Sequence, residues 1–93
     1  MVDRYETTAA ALVALLGGAG NIAEVASCVT RLRVILADRA RVDDGGLRAH
    51  PAVLGLIDAD VSQVHIVVGP AVVGRLAAAV MSQAGQGPGV PRA

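Results

Sequence analysis

Thr30-Arg31-Leu32-Arg33-Val34-Ile35-Leu36-Ala37-Asp38 sorts its residues by side when the chain is drawn extended: Thr30, Leu32, Val34 and Leu36 on one face, Arg31, Arg33 and Ile35 on the other. The pattern predicts a strand with one buried and one open face. The run from Ile22 to Ser27 is also β-like. A hairpin joining the two segments places Cys28 at or beside their turn, where a thiol meets solvent and partners.

Working outward, Tyr5, Ala9, Leu12, Val13 and Leu16 recur at helical spacing until Gly17 and Gly18. Asp3 and Glu6 have the spacing of a capping box for this first helix. Downstream, Val42-Asp43-Asp44-Gly45-Gly46-Leu47 reads as a cap and a weak helix of two turns at most, because paired glycines cost helix stability and Pro51 forbids extension. Val53 to Ile57 and Val64 to Val68 form a second predicted hairpin around the polar stretch Asp58-Ala59-Asp60-Val61-Ser62. Asp58 and Asp60 are read as solvated loop residues with no role. Gly69-Pro70 opens a last helix, with Pro70 in its first turn and Val72, Leu76 and Val80 aligned along it. The expected fold is α+β: a four-stranded, mostly antiparallel sheet with three helices packed on one face and the other face free. Residues 1–83 make a single domain, and 84–93, rich in Gly and Pro, a flexible tail.

Composition narrows the function. The chain has 93 residues, enough for one core, and is 54% hydrophobic with one aromatic residue, Tyr5. Its core is therefore aliphatic. Eight basic and eight acidic residues cancel, which argues against a nucleic-acid partner, as does the lack of aromatic stacking platforms. A single cysteine excludes an internal disulfide, and no ligand set for a metal accompanies it. The run Ala9 to Leu16 is too short and too acidic in its approach for a signal peptide, and no apolar stretch has membrane-spanning length. A reducing cytosol suits the chain.

The chemistry concentrates at Cys28-Val29-Thr30-Arg31-Leu32-Arg33. A thiolate is a nucleophile, and adjacent cations and turn N–H groups favour that form. Arg31 and Arg33, two apart on a strand, project from one face and can converge on phosphate oxygens, with Thr30 adding a hydroxyl. No cofactor is required. The residues alone also fit a small packing cysteine beside solvated arginines. A cysteine-phosphatase loop fits less well, because the position six after the cysteine, where that loop has its arginine, is Val34. A redox sensor lacks a resolving cysteine in this chain.

Asn21-Ile22 followed by Cys28-Val29-Thr30-Arg31-Leu32-Arg33-Val34 resembles the phosphorylation-site motif of enzyme IIB of the sugar phosphotransferase system, in its glucose, N-acetylglucosamine and glucoside class. The likeness extends through Val53-Leu54-Gly55-Leu56-Ile57 and Gln63-Val64-His65-Ile66-Val67-Val68-Gly69-Pro70. It implies that Cys28 accepts phosphate from a phosphohistidine on a IIA protein and passes it to a sugar bound by the membrane IIC permease. Arg31 and Arg33 would serve donation to sugar in particular, and Val29 and Thr30 would complete the phosphate-binding turn. The implied fold is the same four-stranded sheet with three helices. The implied location is the cytoplasm, peripheral to the membrane through IIC, which would be met as a separate protein. Two positions depart from the family pattern. Ala26 stands where many relatives carry an acidic residue, which keeps open a non-catalytic, IIA-binding or regulatory module. His65 stands where glutamine is common, and it reads as a sheet-face side chain or, functionally, as a sensor or partner contact. His50, beside Pro51, is read as a loop residue.

Overall fold

A computed structural model of the protein describes residues 4–85. The Asp3 half of the predicted capping box and the predicted tail beyond Gly85 lie outside them. The elements in chain order are α1 (Arg4–Leu15), β1 (Ile22–Cys28), β2 (Arg31–Leu36), α2 (Asp44–Ala49), β3 (Gly55–Asp60), β4 (Gln63–Val67) and α3 (Val73–Gln83). Single 3₁₀ turns at Ala19–Asn21 and Arg39–Arg41 lead into β1 and α2. The four strands form one sheet in the order β1-β2-β4-β3 with every pair antiparallel. This is the α+β architecture expected from the alternation.

The decisive strand folds as its pattern dictates. Leu32, Val34 and Leu36 are buried, while Arg31 and Arg33 are exposed on the opposite face. Val64 and Ile66 of β4 and Ile22 and Val25 of β1 join the buried layer, against Ala9, Leu12 and Val13 of α1 and Leu76, Ala77 and Val80 of α3. The core is aliphatic, and Leu47 is the one residue α2 buries in it. Both outer strands carry a register irregularity, between Ile22 and Glu24 in β1 and between Asp58 and Asp60 in β3. The first brings Ile22 and Val25 to the same side despite their odd spacing.

Asn21 is the only buried polar residue among those described. Its Nδ2 donates to the Leu16 carbonyl at 2.8 Å and the Asp38 carbonyl at 3.0 Å, and its Oδ1 accepts from the Asp38 N–H at 2.8 Å. The Asn21 carbonyl also accepts from the Ala37 N–H at 2.9 Å. One amide thus ties the end of α1 to the end of β2. Gly17 is required beside it. Its φ of 98° disfavours any other residue, and a Cβ there would come within 2.7 Å of Asn21 Nδ2.

The second hairpin corrects the sequence reading. The strand begins at Gly55, not Val53, because Val53 N–H still bonds the His50 carbonyl and His50 Nδ1 accepts from Ala52 N–H, closing a turn after α2. At its other end the strand runs through Asp60, so Asp58 and Asp60 are strand residues and the connection is only Val61-Ser62. Asp58 also has a partner, Arg39 Nε at 3.3 Å, whose guanidinium makes a two-pronged pair with Asp44 at 2.7 and 2.9 Å. That pair raises the Arg39 pKa and lowers that of Asp44, by hydrogen bonding first in each case. Pro70 precedes α3 instead of lying in its first turn: the N–H groups of Val72 and Val73 bond back to the Gly69 carbonyl, and the helix proper starts at Val73.

Replacing Asn21 with Ala strands three backbone groups in a buried site, at a cost of about 3 kcal/mol. Urea unfolding of Asn21→Ala should show a lower midpoint with an unchanged slope. A loss under about 0.5 kcal/mol would remove Asn21 from its assigned role.

Candidate functional site

A two-residue connection, Val29-Thr30, links β1 to β2, and Cys28 lies directly across the ladder from Arg31. No non-glycine residue among those described has positive φ, so this turn does not use the primed geometries that match strand twist. The Thr30 carbonyl accepts from Val68 N–H at 2.8 Å, which fastens the turn to the strand beyond. Cys28 is exposed and so is Val29, at 78%. The N–H groups of Val29 and Thr30 have no protein acceptor among the described residues. The hairpin therefore holds the thiol at a tip, as the sequence predicts.

Arg31 and Arg33 share the open face of β2. Across from Arg33 on the β1 side stands Ala26, and across from it on the β4 side stands His65. Neither arginine is ion-paired among the described residues, although Glu24 lines a shallow depression with Ala26 and Arg33. Two guanidinium groups are thus left uncommitted. Cys28, Val29, Thr30, Arg31, Arg33 and His65 together line a second depression of about 390 Å³. All five residues singled out in the sequence are brought together there.

His65 is the member that alternation alone does not place. Its ring is half-buried, and its Nδ1 is buried without a hydrogen-bond partner among the described residues. Burial first, then the charges of Arg31 and Arg33, push its pKa below the ordinary histidine value. With two guanidinium groups and no carboxylate among its described lining residues, the depression is electropositive. No group of His, Cys, Asp and Glu among the described residues could hold a metal ion. No described helix is long and apolar enough to cross a membrane.

The sign of the His65 effect follows from which state binds the proton first. As pH falls through about 6.5, the unfolded chain protonates before the folded one, so stability declines until the lower folded pKa is passed and then levels off. Urea unfolding at several pH values between about 7.5 and 5 should show this slope reduced in His65→Gln. An identical slope in both proteins would assign it to other groups.

The family model described as phosphotransferase system, EIIB, matches residues 10–43. The arbutin-, cellobiose- and salicin-specific EIIBC component of Escherichia coli K12 is 38% identical over 69 residues, covering 74% of this chain and 14% of its own length. The MurNAc-GlcNAc-specific EIIBC component of Staphylococcus aureus USA300 is 35% identical over 76 residues, covering 82% of this chain and 15% of its own. This chain thus spans only a small part of these curated relatives. Among solved structures, one domain of the PTS IIabc component from Clostridium difficile superposes with a TM-score of 0.76 at 29% identity, over 84% of this chain and 80% of that one. The matched segment contains the whole Cys28 hairpin, the sheet and helices are shared, and the chain belongs to the phosphotransferase system EIIB family.

Proposed function

We propose that the protein is a phosphoryl carrier of a sugar phosphotransferase system, with Cys28 as the residue that bears the phosphoryl group. The observation that carries this reading is an exposed thiol at a hairpin tip with two uncommitted guanidinium groups on the adjoining face. The Cys28 thiolate attacks the phosphorus of a phosphohistidine on a IIA protein. The S–P bond forms as the N–P bond breaks, and the electron pair of that bond returns to the imidazole. In the second step a sugar hydroxyl held by IIC attacks the same phosphorus, the O–P bond forms, the S–P electron pair returns to sulfur, and the hydroxyl proton passes to solvent.

Catalysis of both steps is a matter of position and charge. Arg31, Arg33 and the Thr30 hydroxyl balance the oxygens of the transferring group, with the free N–H groups of Val29 and Thr30 as further donors. A carboxylate at position 26 would engage Arg33 across the ladder; Ala26 leaves that guanidinium to the phosphoryl group. Val29 and Leu54, exposed at 78% and 70%, sit at the same end of the sheet and offer an apolar rim to docking proteins. The names of the relatives, specific for carbohydrates, support a sugar as the final acceptor. The place of work is the cytoplasmic face of the membrane, where IIC is reached.

Incubation with phosphoenolpyruvate, the general phosphotransferase proteins and a IIA donor should add one phosphoryl group to the intact mass, and Cys28→Ser should abolish the gain. A phosphorylated IIA that leaves the mass unchanged would move the non-catalytic module ahead. Arg31→Lys and Arg33→Lys keep the charge but lose the fork, and each should slow transfer to sugar by about tenfold or more while loading from IIA suffers less. Equal losses in the two half-reactions, measured by quenched flow, would refute that division.

A further inference from the structure

The open face of the sheet carries a titratable group that the carrier mechanism does not use. His65 pairs directly with Arg33 across the β2–β4 ladder and lines the same depression as Cys28 and Arg31. This adjacency joins strands that are not consecutive in the chain, so it belongs to the tertiary fold and not to the cysteine motif. The imidazole lies beside two cations, Arg31 and Arg33, both on β2. Its neighbour on β3 is Ile57, which has no charge to offer. The carboxylates of Glu24 on β1 and Asp60 on β3 are placed farther along the face, against Ile35 and Gln63, and Asp58 is taken by Arg39. Among the described residues, the unloaded site thus has positive charge beside the ring and no anion in contact with it.

Loading Cys28 inverts that field. A tetrahedral anion on Sγ enters the space that Arg31, Arg33 and His65 share, offsets the two guanidinium charges and supplies acceptor oxygens. The buried Nδ1, without a partner in the unloaded protein, is the ring atom in want of such an acceptor. The other ring nitrogen is not buried and can keep its own proton toward water.

Resting on the carrier reading above, we propose that His65 is the third side of the anion cradle, beside Arg31 and Arg33, and takes up a proton from solvent when a tetrahedral anion is loaded on Cys28. Loading is then proton-coupled. Below the loaded protonation midpoint the group is held by three cations; above it, by two. Release of the group to an acceptor returns the proton to water.

The test follows the His65 ring signals by NMR against pH, assigned with His65→Gln, in the full chain with Cys28 free or loaded. Two loadings separate the claims. One is the phosphoryl group delivered by IIA. The other is an S-sulfo group placed on the sole cysteine by sulfite with tetrathionate as oxidant: the thiolate first displaces thiosulfate from tetrathionate, sulfite then displaces a second thiosulfate to leave S–SO3−, and no relay protein is needed. Mass spectrometry reports the loading in each case, Cys28→Ser treated identically is the control, and His50 reports any effect not local to the site. The expected result is a rise of the His65 protonation midpoint by about one pH unit or more on loading, with no change in the control. If phosphorylation fails but the S-sulfo protein shows the rise, the carrier reading falls and the cradle stands. A midpoint that is unchanged or lower with the anion demonstrably on Cys28 overturns the proposal, whichever loading produced it.

Discussion

The Asn21 amide is the constraint on which the rest of the structure depends. It fixes the exit of α1, the entry of β1 and the end of β2 through three hydrogen bonds made by a buried side chain. Those bonds hold Ile22 opposite Leu36, and the remaining ladder follows to Cys28 opposite Arg31. Register matters here because strand side chains alternate. A slip of one residue would turn Arg31 and Arg33 into an aliphatic core and present Leu32 and Val34 to water. A polar latch at one end of the hairpin therefore governs where the thiol and its cations stand at the other.

The two faces of the sheet have divided the work. One is sealed by α1 and α3 with Val, Leu, Ile and Ala, which need only volume and shape to hold. The other bears the charges and the imidazole, with none of the described helices over it. The depression proposed to cradle a tetrahedral anion is lined by side chains of three different strands that converge through the sheet order β1-β2-β4, so the site is only as stable as the ladder itself. The uncovered face also keeps room for a large partner to approach the hairpin tip.

Much of this was legible in the residues. Alternation in Thr30 to Asp38 identified the central strand and both its faces, and helical spacing identified α1 and α3, because each signal is local and periodic. The second hairpin was legible only in outline. Val53 to Ile57 is uniformly apolar, so it announces burial without register, and the turn held by His50 takes up its first residues. Asp58 and Asp60 resemble turn residues by type, yet a bulge and the Arg39 partnership accommodate them in β3. The Cys28, Thr30, Arg31 and Arg33 cluster was readable because six consecutive positions hold it. The nearness of His65 was not, since it requires β4 to lie between β2 and β3, an order that alternation does not encode. Asn21 stood within the recognised motif, but its burial depends on three segments meeting around one side chain.

The bulges in β1 and β3 have a bearing on life in a crowded compartment. These are the two rims of the sheet, and a straight rim offers unpaired N–H and C=O groups as a template for another copy. A bulge twists the strand away from such pairing and breaks the repeat on which a growing stack relies. One irregularity at each rim interrupts the straight run of N–H and C=O groups that such pairing needs. The strand edges thus oppose edge-to-edge stacking by their own geometry, apart from the open face of the sheet.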